Sequence, residues 1–377
     1  MPLCSVLLLN VSPMQAGLGA LIAGLPHIVL SLPAGVFLDR NRKLPILLAS
    51  KAMQGLSLAS IPLAWWLGIL TIPWMYAVGF VGSLCVVMGG GAEQVFLTNL
   101  IGRDRLSDAQ SKFAVTDSAA RLVAPGIAGM LIQWLTAPFA VLVNASGFAA
   151  SILMLRKLKA NDPKPPRSDK HPLRDIQDGF RFIWSQPLLR TLALTSACWH
   201  MLFYGYAAIQ LIFATRVLGM SAGMLGVAQT IGGIGVLLSS MLLKPLIQRR
   251  GPTGAMVIGI ALTAFAFCAM PMIPAGLLGH PLASASACAA LSLFMDCGVM
   301  LFLMPYSALR QKVTPDEYLG RMISTMRFLT VAIAPLGSMV TGYIGEHFGV
   351  RTGLACVGAC SIVLTLWLAC SSALRKT

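Results

Sequence analysis

Asp296 sits in the run LSLFMDCGVM, directly after residues 251–295, which hold no Lys, Arg, Asp or Glu. At a rise of about 1.5 Å per residue it lies about 20 Å from either end of its apolar stretch. No other acid in the chain is so deep. His200, in ACWHMLFYGY, is comparably deep. Carboxylate and imidazole are the side chains suited to carrying a proton out of water or near neutral pH. An ionisable group in a bilayer interior costs about 2.5–3.5 kcal/mol, so each one calls for a role or a partner. Asp296 is read as functional and His200 as a hydrogen-bonded residue between packed helices. Asp117 and Arg121 stand four apart, acid before base, on one helix face. They suit a structural ion pair or a substrate or gating role equally, and Arg327 gets the same double reading.

A second constellation follows 38 residues without Lys, Arg, Asp or Glu: Gly35, Asp39, Arg40, Arg42 and Lys43 in GVFLDRNRKL. Read by itself, such a charged knot is a topological anchor. Trp199, Tyr204 and Gln210, with Gln229 further on, could line an apolar cavity with a few polar anchors, although aromatics at these spacings more often pack or face lipid. Glu93 follows Gly89-Gly90-Gly91 and marks a helix end. No Walker A, G-x-G-x-x-G, G-x-S-x-G or H-E-x-x-H pattern is present, so ATP-driven transport and hydrolysis have no support. Nine cysteines are scattered without C-x-x-C or Cys/His spacing, which argues for no metal and no cofactor.

These residues must be held by membrane helices. The chain is 56% hydrophobic and 11% charged, with mean hydropathy +0.77, too apolar to cover the surface of a soluble protein of 377 residues. Charge-free gaps at 52–92, 122–155, 191–215, 217–243, 251–295 and 352–374 are each long enough for at least one span of about 20 residues. They are rich in Leu, Ala, Gly and Met rather than alternating, which excludes a transmembrane β-barrel. Punctuation by Pro, Gly and charge places eleven spans near 14–38, 44–68, 73–97, 113–134, 138–157, 188–214, 222–247, 253–276, 282–308, 321–345 and 351–373. Of 28 Lys and Arg, 24 fall in alternate turns on one side; Arg216 and Arg351 lie opposite, and Arg121 and Arg327 lie inside helices. The positive-inside rule makes that side, and the C-terminus, cytoplasmic. The net charge of +15 is therefore topological, and no nucleic-acid surface is implied.

Residues 1–12 are apolar but too short to cross a bilayer, and they lack the charged n-region of a signal peptide. They read as the outer end of a first helix that is truncated or missing. The expected organisation is an N-terminal bundle over 1–157, a linker over 158–187 and a C-terminal bundle over 188–377. In the linker, Leu173, Ile176, Phe180, Ile183 and Trp184 recur at helical spacing beside basic residues, as in an interfacial helix on the cytoplasmic leaflet. The halves echo each other. An offset of 209 pairs Ser12 with Ser221, Gly17 with Gly226, Gly24 with Gly233, Ser31 with Ser240 and Arg40 with Arg249; 210 pairs Ala124-Pro125 with Ala334-Pro335.

Gly35-x-x-x-Asp39-Arg40 followed by Arg42-Lys43 resembles the signature loop of the major facilitator superfamily. The runs YLGRMISTMRFLTVAIAPLGSMVTGYIGEHFGVR and LRDIQDGFRFIWSQPLLR resemble its branch with macrolide-efflux and enterobactin-export proteins. The resemblance implies an all-α membrane fold of two bundles around a central cavity, with twelve helices in the family and about eleven here. It also implies alternating access, with Asp39 latching the inward-closed bundle. Arg42 stands where the family loop usually has Gly, and Ala124-Pro125-Gly126 is a degenerate form of the antiporter-type motif. The function expected is that of a secondary transporter, not an enzyme, in the cytoplasmic membrane: a monomer exporting a small amphipathic compound in exchange for protons. The alternatives are a carrier of one metabolite, siderophore or lysolipid, in either direction, or a truncated remnant that does not transport.

Overall fold

A computed structural model describes residues 2–101, 106–158, 172–277 and 281–371. All regular structure among the described residues is helical. The helices are α1 (Pro2–Leu8), α2 (Pro13–Arg40), α3 (Lys43–Trp66), α4 (Ile72–Ile101), α5 (Leu106–Leu135), α6 (Ala137–Lys157), α7 (Pro172–Ser185), α8 (Pro187–Ile212), α9 (Ala222–Ala269), α10 (Pro281–Lys312), α11 (Asp316–Phe348) and α12 (Val350–Cys370). Lipid supplies no hydrogen bonds, so helices that satisfy their own backbone are the form such apolar runs must take.

Among the described residues ten helical stretches are long and apolar enough to cross a membrane. One of them, Ala222–Met272, has 51 residues. At about 1.5 Å per residue this is more than twice the ~30 Å hydrocarbon core. It is broken at Gly251, whose φ of 71° and ψ of 172° are non-helical, and Pro252 follows. A left-handed φ suits Gly, and Pro cannot continue the preceding helix. The two halves of α9 therefore match the two spans expected over 222–247 and 253–276, which makes about eleven crossings among the described residues.

Contacts group the chain into two units: residues 1–11, 21–120 and 131–173, and residues 12–20, 121–130 and 174–377. The sequence divides the bundles at the linker; the contacts add short segments of α2 and α5 to the second unit. In the first unit, Leu58 and Ile61 of α3, Met75 and Val78 of α4 and Val141 and Ala145 of α6 bury each other, with Cys4 of α1 against them. Nearer the charged loop, Leu38, Leu47, Ala92 and Phe96 form a second small core. In the second unit α9 packs on α10 and α8 on α11, around the fully buried Tyr206, Phe213, Phe267 and Phe302.

The sequence echo has a structural counterpart within the second unit. Ser12 and Ser221 both cap helix starts: Ser12 Oγ accepts from the Gln15 amide at 3.3 Å, and Ser221 Oγ from the Met224 amide at 3.2 Å. Five residues on, each helix presents a glycine to another backbone. A Cβ on Gly342 of α11 would come within 3.2 Å of Gly17 Cα, and one on Gly129 of α5 within 2.8 Å of Gly226 Cα. Glycine lets helices approach this closely, and small-residue contact is a main source of helix association in lipid. These contacts bind segments 12–20 and 121–130 into the second unit.

Candidate functional site

The charged loop joins α2 to α3. Gly35, Asp39 and Arg40 form the end of α2, and their side chains lie outside the described residues. Lys43 is 4% exposed. Its ammonium donates to the carbonyl oxygens of Leu38 and, at 2.8 Å, of Asn41, while Asn41 Nδ2 donates to Phe37 O at 2.8 Å. The last carbonyls of a helix lack intrahelical partners, and a cation satisfies them while complementing the negative end of the helix dipole. Lys43 is thus the C-terminal cap of α2. Arg42 is exposed, with φ −64° and ψ 140°, a backbone open to any residue, so the turn forms without the family's glycine. Beside it, Gly91 of α4 receives Leu38, and Glu93 pairs with Lys51 of α3 at 3.5 Å.

Asp296 occupies the middle of α10, facing α9. A Cβ on Gly232 of α9 would come within 2.5 Å of Asp296 Oδ2 and 3.4 Å of Ser292 Cβ. The glycine therefore makes the space that the carboxylate fills. Among the described residues no hydrogen-bond donor reaches this carboxylate. The Tyr206 hydroxyl of α8 is buried without a hydrogen-bond partner and lies within electrostatic reach of Asp296 and Cys288, and the Tyr206 ring stacks on Phe267 at 4.5 Å. A half-buried ionised carboxylate at mid-membrane depth with no partner is costly, and a buried hydroxyl without one is costly too. This constellation, with Gly232 as its enabling residue, is invisible in the spacing of the sequence.

His200 holds its Nδ1 2.8 Å from Ser196 O. A carbonyl only accepts, which places a proton on Nδ1 and leaves Nε2 free. The ring meets Trp199 edge-on at 4.9 Å and is within electrostatic reach of Arg310. Trp199 is 2% exposed; it is packed between Phe203 and Phe302, with Nε1 3.4 Å from Thr263 Oγ1. It is a core side chain rather than the lining of an open cavity. Arg310, counted in the sequence among the turn charges, instead folds back along α10. Its Nη1 donates to Tyr306 Oη at 3.3 Å, and its guanidinium carbon stands 4.9 Å from the Tyr306 ring centre.

The remaining candidates are dispersed. Tyr204 and Gln229 are exposed and Gln210 is half-buried. Asp117 is exposed and engaged, and the Arg121 side chain lies outside the described residues, as do Arg103 and Arg105. Arg327 is exposed on α11, next to Met326, the sulfur of which accepts from Tyr306 Oη at 3.4 Å. Among the described residues no group of three or more His, Cys, Asp or Glu could hold a metal ion.

Comparison with known proteins agrees with this architecture. The multidrug efflux pump Tap of Mycolicibacterium fortuitum is 26% identical over 359 residues, covering 91% of this chain and 83% of Tap. The enterobactin exporter EntS of Citrobacter koseri is 23% identical over 336 residues, covering 89% of this chain and 77% of EntS. Among solved structures, the nucleoside transporter NupG superposes with a TM-score of 0.76 at 13% identity over 100% of this chain and 93% of NupG, which is a likeness of fold. The Major Facilitator Superfamily model matches residues 1–336. The chain is a multi-pass membrane protein that belongs to the major facilitator superfamily.

Proposed function

We propose that this transporter exports a small amphipathic compound by alternating access, driven by the inward flow of protons through Asp296. The observation that carries the coupling role is the mid-membrane carboxylate in a niche opened by Gly232, with no donor among the described residues to hold it ionised. A carboxylate in such a place must take up a proton, a ligand or water during the cycle. Similarity to Tap and EntS supports the outward direction. On this reading Asp39 and Arg40 latch the inner end of the first bundle, and the paired glycine crossings at Gly17 and Gly226 seal the opposite end. Such a cycle needs two packings that differ by only a few kcal/mol. The basic turns and the C-terminus are cytoplasmic, and α7 rests on the cytoplasmic leaflet with Phe180 and Trp184, stacked at 4.9 Å and both exposed, among the headgroups.

The test is dye efflux in inverted vesicles with an imposed pH gradient. Asp296→Asn is expected to lower gradient-driven efflux at least tenfold, about 1.4 kcal/mol in the coupled step, with the purified variant melting like the parent. Unimpaired gradient-driven transport by Asp296→Asn would sink the coupling role. The similarity to EntS favours a second reading, a carrier dedicated to one siderophore-like metabolite. A substrate panel in the same vesicles separates the two, since a dedicated carrier moves one compound and leaves the dyes inside.

A further inference from the structure

Arg310, unlike the inward-turned Lys43 and Arg351, has no backbone carbonyl as its acceptor among the described residues. A basic side chain near the end of a span ordinarily runs out to the headgroups and water. This one turns the other way, over the ring of Tyr306, one turn deeper in α10. It is not recruited as a helix cap, because Thr314 Oγ1 already donates to the Arg310 carbonyl at 2.6 Å and the Val313 amide to Leu309 O at 3.2 Å. Its Nε is buried without a hydrogen-bond partner, and among the described residues no acid pairs with the guanidinium. Among the described residues the Tyr306 hydroxyl has a thioether, Met326 Sδ, as its acceptor, and a thioether is a weak one. Three helices meet here: Trp199 of α8 touches Phe302 of α10, and Tyr306 of α10 reaches Met326 of α11. The cluster has buried aromatic rings behind it and the His200 ring within electrostatic reach, but among the described residues no carboxylate reaches the guanidinium.

We infer that Arg310, backed by Tyr306, forms a binding site for the anionic head of an amphipathic molecule, the oxygen atoms meeting the half-buried guanidinium. A carboxylate, sulfonate or phosphate supplies the acceptors that the guanidinium lacks, and a guanidinium binds such groups through two parallel hydrogen bonds. The substrate class is thereby an organic anion. The inference rests on the transport reading for its biological sense, but it concerns equilibrium binding and is tested without transport. The same chemistry is offered by a soluble anion and by an anionic lipid headgroup.

The experiment is calorimetric titration of the full chain in phosphatidylcholine nanodiscs with naphthalene-2-sulfonate, and with 2-naphthylmethylammonium as the cation of similar body. The sulfonate is expected to bind at least about tenfold tighter than the ammonium, the scale of one charge-assisted hydrogen bond. Arg310→Gln should remove that preference, Arg310→Lys should keep part of it, and Arg351→Gln, at the far end of the bundle, should leave it unchanged. Adding phosphatidylglycerol weakens sulfonate binding if a lipid headgroup takes the site, and leaves it unchanged if a soluble anion does. The preference of the parent protein needs no variant, so a misfolded Arg310→Gln does not protect the inference. Equal affinity for both probes, no sulfonate binding at millimolar concentration, or an undiminished preference in a folded Arg310→Gln overturns it. Failure of gradient-driven efflux with sulfonate preference intact would instead count against the transport reading alone.

Discussion

A lysine whose ammonium bonds two carbonyls does different work from a neighbour that faces water, even when both belong to one charged motif. Lys43 is buried and holds the Leu38 and Asn41 carbonyls at the end of α2, whereas Arg42 is exposed and makes no cap. Hydrogen bonds from a charged donor contribute about 1.5–3 kcal/mol, and leaving a buried acceptor unmade costs a similar amount. Lys43→Met is therefore expected to lower the melting temperature of the purified protein by several degrees, with Lys43→Arg intermediate. Arg42→Gly restores the residue common in the family at a position where φ is −64°, so it gains no relief of strain and should melt within a degree or so of the parent, allowing for the small entropic cost of glycine. Thermal unfolding of the variants in detergent decides the matter. If Lys43→Met and Arg42→Gly melt alike, the capping role is wrong and both residues act only as charges on the cytoplasmic side.

At the scale of elements, α7 shows how a linker helix is held. Gly179 lies against the α11 backbone: a Cβ there would meet Arg321 O at 2.9 Å. Phe182 stacks on Tyr318 at 4.5 Å, Asp178 and Arg321 approach to 3.8 Å, and Ile183 is fully buried. Magnitudes rank these contacts. An exposed ion pair contributes about 0–1 kcal/mol and an aromatic pair about 0.5–1.5 kcal/mol, whereas truncating a buried Ile to Ala costs about 2–5 kcal/mol. Arg321→Ala should accordingly leave α7 docked. Ile183→Ala, or Gly179→Val, should open it locally, by at least about tenfold in the population of the undocked state. Trypsin cleavage at the exposed Arg181 reads that population. Faster cleavage in Arg321→Ala than in Ile183→Ala would reverse the ranking and make charge the main tether. The opposite face of α7, with Phe180 and Trp184, stays free for the bilayer in either case.

For the molecule as a whole, the span pattern was legible because a bilayer dictates it: each crossing needs length and apolarity, and each must satisfy its own backbone. Facing was not legible, because lipid and protein interior select the same residue types. Trp199 is 2% exposed and Trp184 42%, while Tyr206 is 1% and Tyr204 44%, yet nothing in their immediate sequence separates the members of each pair. Asp296 stood out as a lone deep charge, but its niche depends on Gly232, 64 positions earlier on another helix. Arg310 was hidden among the turn charges, since only coordinates show a guanidinium turned inward. The bias of Lys and Arg has two exceptions. Of the two basic residues on the sparse side, Arg351 donates to Pro271 O at 2.6 Å and stacks on Phe213 at 5.4 Å, so its charge is committed to a local contact and is no vote on orientation. That leaves Arg216 alone against the 24 Lys and Arg counted on the other side. Because loop Lys and Arg set orientation by their bias, reporter fusions should alternate without exception. Alkaline phosphatase is expected to be active when joined after Ile69, Thr136 or Gly219, and a green fluorescent protein to fluoresce when joined after Asn41, Val313 or Thr377. Active phosphatase after Val313, or a dark fusion at Thr377 in a protein that still reaches the membrane, would invert the topology and place Asp39 and Arg310 at the outer face.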